Sequence, residues 1–185
     1  MSGQTPSQTV GPYFAYGLAA QQYHYPGVQV ADATIGPEGT AGRIRVLGNV
    51  YDGAGAAIRD ALIEVWQADA AGLYGAEGFK GFGRCGTGTH PDGCFGFETI
   101  KPGRDGAAAP FLTLAVFMRG LLSHVFTRAY FDDEAAANAA DPVLAETPAS
   151  RRATLIAVRQ KDAGLPTYRF DIHMQGERET VFFDV

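Results

Sequence analysis

Short stretches of alternating apolar and polar residues dominate this chain, and long helical patterns are scarce. Residues 43–50 place Ile44, Val46 and Val50 between polar or small residues, which is the two-residue period of a half-buried strand. Further stretches that predict strands are 62–67, 95–100, 111–119, 125–131, 168–174 and 179–185. In the stretch 111–119 the same alternation places Leu112 and Leu114 on one face and Phe111 and Thr113 on the other.

Turn-forming residues separate these stretches. The Asp-Gly pairs 52–53 and 92–93 suit tight turns, and Lys101-Pro102-Gly103 ends the strand before it. With 24 glycines and 10 prolines, the chain predicts an all-β fold, an antiparallel β-sandwich with one or two short helices. One helix is expected to start with Thr147 as N-cap and Pro148 at its first position and to run to Val158. A second short helical turn is expected at 132–137, where acidic residues precede alanines.

The N-terminal region differs from the remainder of the chain. Residues 1–41 show no periodicity and are rich in Gly, Pro and Tyr, which predicts an extended arm on the surface of the sandwich. A length of 185 residues suits one domain. We therefore expect a single domain over 1–185, with the arm at 1–41 and the sandwich core at 42–185.

Composition and charge narrow the class of protein. The chain is 46% hydrophobic and 19% charged, which is the balance of an ordinary globular protein. Its net charge of −5 and its scattered basic residues argue against a nucleic-acid partner. No apolar run approaches the roughly 18 residues of a membrane span, and the first residues do not have the pattern of a signal peptide. A cytoplasmic location is therefore expected.

Motifs with self-contained chemistry are scarce. Cys85 and Cys94 are too few for a disulfide framework and are expected to be free thiols. The histidines stand at 24, 90, 124 and 173, so no two of them have the spacing of a local metal pair. The segment 81–86 matches a dinucleotide-binding glycine pattern by letters, but no helical sequence follows it. Motifs alone thus predict a sandwich without a recognisable active site.

Several segments, in chain order, match a known pattern. They are 5–13 (TPSQTVGPY), 48–53 (GNVYDG), 64–74 (EVWQADAAGLY), 82–84 (FGR), 99–103 (TIKPG), 130–134 (YFDDE) and 168–172 (YRFDI). Together they extend over nearly the whole chain, which resembles the intradiol ring-cleaving dioxygenases. The resemblance implies the β-sandwich of that family and oxidative opening of an aromatic ring by O₂.

The resemblance also indicates where a metal would lie. The family holds Fe(III) with two tyrosines and two histidines, donors that suit a hard, highly charged cation. The tyrosine positions correspond here to Tyr74 and Asp105, and the histidine positions to Leu112 and Leu114. An arginine of the family's motif corresponds to Ala109. One phenolate alone is too weak a ligand set, so the chain is expected to carry no metal.

The family includes enzymes that pair an iron-bearing chain with a homologous iron-free chain, and this sequence resembles the iron-free one. The resemblance implies a hetero-oligomer in which the partner binds Fe(III). Its small aromatic substrate would be 3,4-dihydroxybenzoate, cleaved between the hydroxyls to 3-carboxy-cis,cis-muconate. No nucleic acid or membrane would take part.

The same resemblance implies what an iron-free chain contributes. Thr9, Gly11, Pro12 and Tyr13 would form part of the wall of the partner's substrate pocket, and Arg119 would reach toward that pocket. Without the resemblance, the residues of the segment 9–13 favour a simple turn at the start of the arm over a pocket wall. Arg119 could equally extend from a strand end into solvent.

Two other functions are compatible with the residues. The first is a self-sufficient dioxygenase that uses Tyr74 and Asp105 with a distant histidine, His90 or His124. The second is a non-catalytic β-sandwich that binds a partner or a carbohydrate.

Overall fold

The computed structural model describes residues 3, 5–27, 30–37, 39–90, 92–161 and 164–184. Strands form most of the regular structure. They are β1 (Arg43–Gly48), β2 (Val50–Tyr51), β3 (Leu62–Trp66), β4 (Phe82–Gly86), β5 (Phe95–Ile100), β6 (Phe111–Phe117), β7 (Val125–Phe131), β8 (Ile156–Arg159), β9 (Thr167–Arg169) and β10 (Ile172–His173).

Helices in the described residues are short. The α-helices are α1 (Phe14–Leu18), α2 (Ala135–Ala139) and α3 (Pro142–Glu146), and 3₁₀ turns occupy Ala20–Tyr23, Asp132–Glu134 and Arg152–Leu155. The prediction of a mostly β fold with few helices is confirmed.

Eight strands form one continuous sheet in the order β4-β3-β6-β7-β8-β9-β1-β5, and β2 pairs separately with β10. The two end strands approach each other, since the amide of Gly96 in β5 lies 3.4 Å from the sulfur of Cys85 in β4. The sheet therefore curls into a nearly closed, barrel-like form around its apolar interior.

The predicted purely antiparallel order is wrong at three pairs. Strands β1 and β9, β2 and β10, and β7 and β8 pair in parallel. Parallel neighbours need a long crossover instead of a hairpin. Residues 132–155 supply one between β7 and β8, and they contain α2, α3 and two 3₁₀ turns.

The core lies on the concave side of this sheet. Strand β6 contributes Leu112, Leu114 and Val116, all fully buried. They belong to the same apolar cluster as Ile63 and Val65 of β3. The opposite face of the sheet carries two smaller clusters, one under α3 and one under α1. Strand β6 is thus covered on both faces over much of its length.

The N-terminal arm is more integrated than its composition predicts. Residues 14–23 form α1 and a 3₁₀ turn, in which Ala15 and Ala19 are fully buried. They cluster with Leu62 of β3, because small side chains four residues apart let the helix backbone approach the sheet closely. Ile35 joins the main core. The prediction of a purely surface arm is therefore wrong for these residues.

The helix predicted from Thr147 to Val158 is also wrong. The helix in this region is α3, whose N-cap is Asp141 and whose first residue is Pro142. Residues 156–159 form β8 instead, because Ala157 fits into the main core. The predicted motif, a polar N-cap followed by proline, is therefore present, but it lies at Asp141 and Pro142, six residues before Thr147 and Pro148. The expected acidic turn at 132–137 is confirmed as a 3₁₀ turn followed by α2.

Two further segments have a structure that differs from the sequence prediction. The glycine-rich segment 82–86 is strand β4, where Gly83 lies so close to Ile35 that a larger side chain would clash. Within the predicted strand 179–185, the described residues make only an isolated bridge between Phe183 and Phe126, and residue 185 lies outside the described chain.

Cys85 and Cys94 are free and buried, as predicted. No helix within the described ranges has the length and apolarity to span a membrane.

Asp141 connects the crossover to the sheet. Its carboxylate is fully buried and accepts hydrogen bonds from the amides of Leu144 and Ala109, both at 2.9 Å, and from the Tyr130 hydroxyl at 3.2 Å. We predict that Asp141→Ala lowers the free energy of unfolding by about 3 kcal/mol, because it removes a cap and leaves buried donors unpaired. Urea denaturation would measure this. Glu146→Ala, at the exposed end of α3, is the control, and equal effects would contradict the assignment.

Candidate functional site

Tyr74, the expected metal-binding tyrosine, lies on the outer face of the sheet. Its ring stacks on Trp66 at the end of β3, with centroids 5.8 Å apart and planes inclined by 25°. Both rings are partly exposed, Trp66 to 42% and Tyr74 to 38%. Trp66 therefore defines which face of the sheet Tyr74 occupies.

Strand register extends this face across the sheet. Trp66 pairs with Thr113 of β6, and Thr113 pairs with Arg128 of β7. Residues directly opposite each other on neighbouring strands project to the same side. Trp66, Thr113 and Arg128 thus form one row on the face that carries Tyr74. The row also includes Phe82, which pairs with Trp66 from β4.

Arg128 is fixed by aromatic rings and a hydroxyl. Its guanidinium carbon lies 4.2 Å from the ring centre of Phe111 and 5.7 Å from that of Phe183. Its Nη1 atom donates to the Tyr130 hydroxyl at 3.3 Å. Tyr130 is fully buried, and burial raises its pKa to about 12. The cation therefore lies against neutral aromatic groups.

The electrostatic surroundings keep Tyr74 protonated. Burial is the main cause that raises its pKa, and the negative charge of Asp105 raises it further. The positive charge of Arg128 opposes this rise only in part. The phenolate of Tyr74, which is the form that binds a ferric ion, is therefore harder to form here than in a free tyrosine.

The expected histidine-equivalent positions do not face Tyr74. Leu112 and Leu114 are fully buried in the main core, on the opposite side of β6 from Thr113. The residues of β6 on Tyr74's side are Phe111 and Thr113. The side chains of a strand alternate, so Leu112 and Leu114 project away from the face that carries Tyr74. Leu112 and Leu114 therefore do not form a vestigial site with Tyr74.

The other expected positions lie in two surroundings. Asp105 lies close enough to Tyr74 for its negative charge to raise the pKa of the tyrosine. The two loops that carry these residues pack closely, because a side chain at Gly72 would contact the Arg104 carbonyl. Ala109 is fully buried in the cluster under α3 and donates its amide to Asp141. Ala109 thus contributes to packing and to the Asp141 hydrogen bond, and it does not face the Tyr74 ring.

The histidines considered for a self-sufficient metal site lie elsewhere. His124 lies between the rings of Phe117 and Phe126, with centroids 5.0 and 4.8 Å away. Phe117 is four residues along β6 from Thr113, which is about 13 Å in a strand. His90 is exposed and lies 3.6 Å from Asp92. Within the described ranges, no three His, Cys, Asp or Glu residues form a group that could hold a metal ion.

The donor set around Tyr74 does not fit a ferric ion. Phe111 offers hydrocarbon, Thr113 offers a neutral hydroxyl, and the Arg128 guanidinium is a cation, while Asp105 adds a single carboxylate near Tyr74. A trivalent ion prefers anionic oxygen and imidazole nitrogen and would be repelled by the guanidinium.

A second group of expected residues meets at the other end of β6. The Thr9 hydroxyl accepts a hydrogen bond from the Gly120 amide at 2.8 Å, which fastens the arm to the loop after β6. Phe14 of α1 lies against Phe117, with ring centres 5.6 Å apart. Between the arm and this loop is a cleft of about 240 Å³. It is lined by Gln8, Val10, Phe14, Phe117, Met118, Leu121, Leu122, Ser123 and His124.

Arg119 borders the same loop. Its Nε atom lies 2.5 Å from a carboxylate oxygen of Asp60, yet 61% of its side chain remains exposed. Gly11, Pro12 and Tyr13 are exposed, and the Tyr13 ring is 78% accessible. The structure thus brings the arm segment and Arg119 to one end of the sheet, away from Tyr74.

Comparison with known proteins establishes the family. Residues 10–117 match a family described as "Dioxygenase". The chain is 54% identical over 192 residues to the alpha chain of protocatechuate 3,4-dioxygenase from Burkholderia cepacia, and the match covers 98% of both chains. This chain belongs to the intradiol ring-cleaving dioxygenase family, with the protocatechuate 3,4-dioxygenase alpha chains. Within this family the alpha chain is a subunit of an oxidoreductase.

The partner chain and the fold have relatives of their own. The beta chain of protocatechuate 3,4-dioxygenase from Burkholderia cepacia is 33% identical over 159 residues, covering 75% of this chain and 66% of that one. An intradiol ring-cleavage dioxygenase from Tetranychus urticae has a similar fold, with a TM-score of 0.64, 16% identity and coverage of 93% and 94%. Intradiol dioxygenases use Fe(III), and the beta chain is the iron-bearing partner.

The sequence analysis does not predict the row Trp66, Thr113 and Arg128. The available signal was the alternation of β6, which already places Thr113 and Phe111 on one face. The cross-strand register that joins them to Trp66 and Arg128 is a tertiary feature.

The two faces of β6 predict opposite responses to an introduced imidazole. Leu112→His should lower the free energy of unfolding by about 4 kcal/mol, because it buries a polar ring in the core. Thr113→His should cost about 1 kcal/mol or less, because its side chain points to the partly exposed face. Urea denaturation of the two variants makes the comparison. A larger cost for Thr113→His would contradict the assigned orientation of β6.

Proposed function

We propose that this chain is the iron-free alpha subunit of a protocatechuate 3,4-dioxygenase and acts together with a homologous iron-bearing beta chain. The observation that carries the proposal is the environment of Tyr74. The Tyr74 phenol lies near the guanidinium of Arg128 and the carboxylate of Asp105. On this face β6 presents Phe111 and Thr113, where a ferric site would need further anionic oxygen or imidazole nitrogen. The vestigial metal positions in this proposal are Tyr74, Phe111 and Thr113.

The reaction of the assembly would be ring opening of 3,4-dihydroxybenzoate by O₂ between its hydroxyls. Fe(III) in the beta chain would bind the substrate and make it reactive toward oxygen. This chain would provide no reacting group. Its part would be to support the fold of the pair and to complete the wall of the partner's pocket, which excludes water and orients the substrate.

The arm is the segment proposed to contact the partner's pocket. Thr9 anchors it to Gly120, and the following Gly11, Pro12 and Tyr13 extend outward with exposed surfaces. Proline restricts the backbone, and tyrosine offers an aromatic wall with a polar tip. These properties support a surface whose backbone conformation is fixed before the partner binds.

Arg119 would provide the positive charge at this wall. Asp60 holds its Nε atom, which directs the guanidinium while leaving most of the side chain accessible. A carboxylate of the substrate could then be attracted by the remaining donors. Because the ion pair is largely exposed, we expect a modest contribution to substrate capture.

A stand-alone binding module is less well supported. Such a module would need a recognition surface but no second chain, whereas this chain matches an alpha chain over 98% of both lengths. The alternative remains testable because it predicts no dependence of ring cleavage on this chain.

The test is co-expression with a protocatechuate 3,4-dioxygenase beta chain. We predict that the two chains co-purify and cleave 3,4-dihydroxybenzoate, and that this chain alone does not. In the assembled enzyme, Arg119→Met should lower kcat/KM about five- to tenfold, mainly through KM, as expected for a solvent-exposed charged contact.

The matched control is Arg159→Met. Arg159 is also exposed and lies 3.6 Å from one carboxylate, Asp133, but it is on β8, away from the arm. Its substitution should leave kcat/KM unchanged. An unchanged kcat/KM in Arg119→Met would remove Arg119 from the pocket wall, and ring cleavage by the isolated chain would overturn the proposed function.

A further inference from the structure

The outer edge of β4 is closed by the N-terminal arm. Strand β4 is an end strand of the eight-stranded sheet, so its outer backbone groups need partners from outside the sheet. The Arg84 amide donates to the Asp32 carbonyl at 3.0 Å. The Gln22 side chain then makes two bonds. Its Nε2 atom donates to the Arg84 carbonyl at 2.8 Å, and its Oε1 atom accepts from the Gly86 amide at 3.2 Å. Gln22 thus bonds to β4 much as the backbone of a neighbouring strand would.

Tyr23 lies against β4 beside this contact. A Cβ atom at Gly86 would overlap the Tyr23 hydroxyl, so the missing side chain lets the tyrosine ring approach the strand. Gly86 therefore meets both residues of the turn. Its amide bonds to Gln22, and its bare Cα faces Tyr23.

A series of aromatic contacts leads from Tyr23 to the exposed part of the arm. The rings of Tyr23 and Tyr16 have centroids 4.2 Å apart, and those of Tyr16 and Tyr13 have centroids 5.9 Å apart. The second pair is edge-on, with planes inclined by 61°, which is a favourable arrangement of aromatic rings. The contacts that begin at the edge of β4 thus end at the ring of Tyr13.

The exposed segment of the arm is held at two points. On one side the Thr9 hydroxyl accepts from the Gly120 amide, and on the other Gln22 bonds to β4. Ala15 and Ala19 also pack on the sheet, but apolar packing is non-directional. Hydrogen bonds require a defined distance and angle. Gln22 therefore fixes where along β4 the turn lies, and with it the second end of the segment.

We propose that Gln22 is a positioning residue for ring cleavage by the assembled enzyme. Its amide fixes the arm to the edge of β4, and the rings of Tyr23, Tyr16 and Tyr13 transmit that position to the pocket wall. The effect on catalysis rests on the proposed function, in which Tyr13 borders the partner's pocket. The contact between Gln22 and β4 belongs to this chain alone.

Hydrogen exchange of the isolated full chain, followed by nuclear magnetic resonance, tests the contact itself. Gln22→Met keeps the length of the side chain but removes both hydrogen bonds. We predict that it accelerates exchange of the Gly86 amide about tenfold, because that amide loses its acceptor. The Arg84 amide, which Asp32 holds, should keep its rate. An unchanged rate at Gly86, or equal acceleration at both amides, would overturn the assigned anchor.

Steady-state kinetics of the assembled enzyme test the effect on the reaction. Gln22→Met should raise KM for 3,4-dihydroxybenzoate about fivefold and change kcat by less than about twofold, because the wall contributes binding and no reacting group. The matched control is Gln21→Met. Gln21 lies on the same turn but bonds only to the Gly27 carbonyl within the arm, at 3.2 Å, so its loss should leave both constants unchanged. A fall in kcat at constant KM, or equal effects of the two variants, would contradict the positioning role.

A double variant tests the path through the tyrosine rings. If Gln22 acts through Tyr13, Gln22→Met should raise KM little further in an enzyme that already carries Tyr13→Leu. Tyr16→Leu should reproduce the effect of Gln22→Met, because it interrupts the ring series. Tyr25→Leu is its control, since Tyr25 also contacts Tyr16, at 5.9 Å, but does not lie between β4 and Tyr13. Additive effects of Gln22→Met and Tyr13→Leu, or equal effects of the Tyr16 and Tyr25 variants, would contradict this path.

The measurements separate failure of this inference from failure of the proposed function. Near-ultraviolet circular dichroism checks that each variant is folded. If Tyr13→Leu raises KM and folded Gln22→Met does not, the pocket wall stands and the positioning role is wrong. If Tyr13→Leu itself leaves KM unchanged, the proposed wall is wrong, and the role of Gln22 in catalysis falls with it. Exchange at Gly86 still decides whether Gln22 anchors the arm.

Discussion

The two-sided burial of β6 is the constraint on which the rest of this structure depends. Its inward residues, Leu112, Leu114 and Val116, are fully buried and close the core of the curled sheet. Because side chains alternate, the same strand must place Phe111 and Thr113 on the opposite face. That face meets Trp66 on one neighbouring strand and Arg128 on the other. The composition of the outer row is thus set by a register that the core fixes.

The outer row bears on whether this chain can hold the Fe(III) that its family uses. In this chain a guanidinium stacked on Phe111 supplies the positive charge beside Tyr74. A fixed monovalent cation requires no anionic ligands and suits a phenol that remains protonated. The charge and chemistry of this row therefore disfavour a ferric ion beside Tyr74.

Much of the fold could be predicted from local pattern. The alternation in 43–50, 111–119 and 125–131 located β1, β6 and β7, because strand periodicity depends only on which side chains are buried. Parallel pairing of β7 with β8 could not be predicted, since it depends on the path of the crossover. Strand β4 was missed because its glycines, needed for close packing against Ile35, also occur in loops. The helix at Thr147 failed because Asp141 provides a better cap that is buried in the sheet.

The candidate site was predicted only in part, and a strand's period explains why. The motif identifies Tyr74, but the strand positions that it assigns to histidines, Leu112 and Leu114, project into the core. The central claim is that the outer face cannot retain a trivalent cation. Ferric iron and visible absorption should be measured on the isolated chain after exposure to Fe(III) and removal of unbound metal. The account predicts far less than one iron per chain and no tyrosinate-to-iron band, whereas stoichiometric iron with a band that Tyr74→Phe abolishes would contradict it.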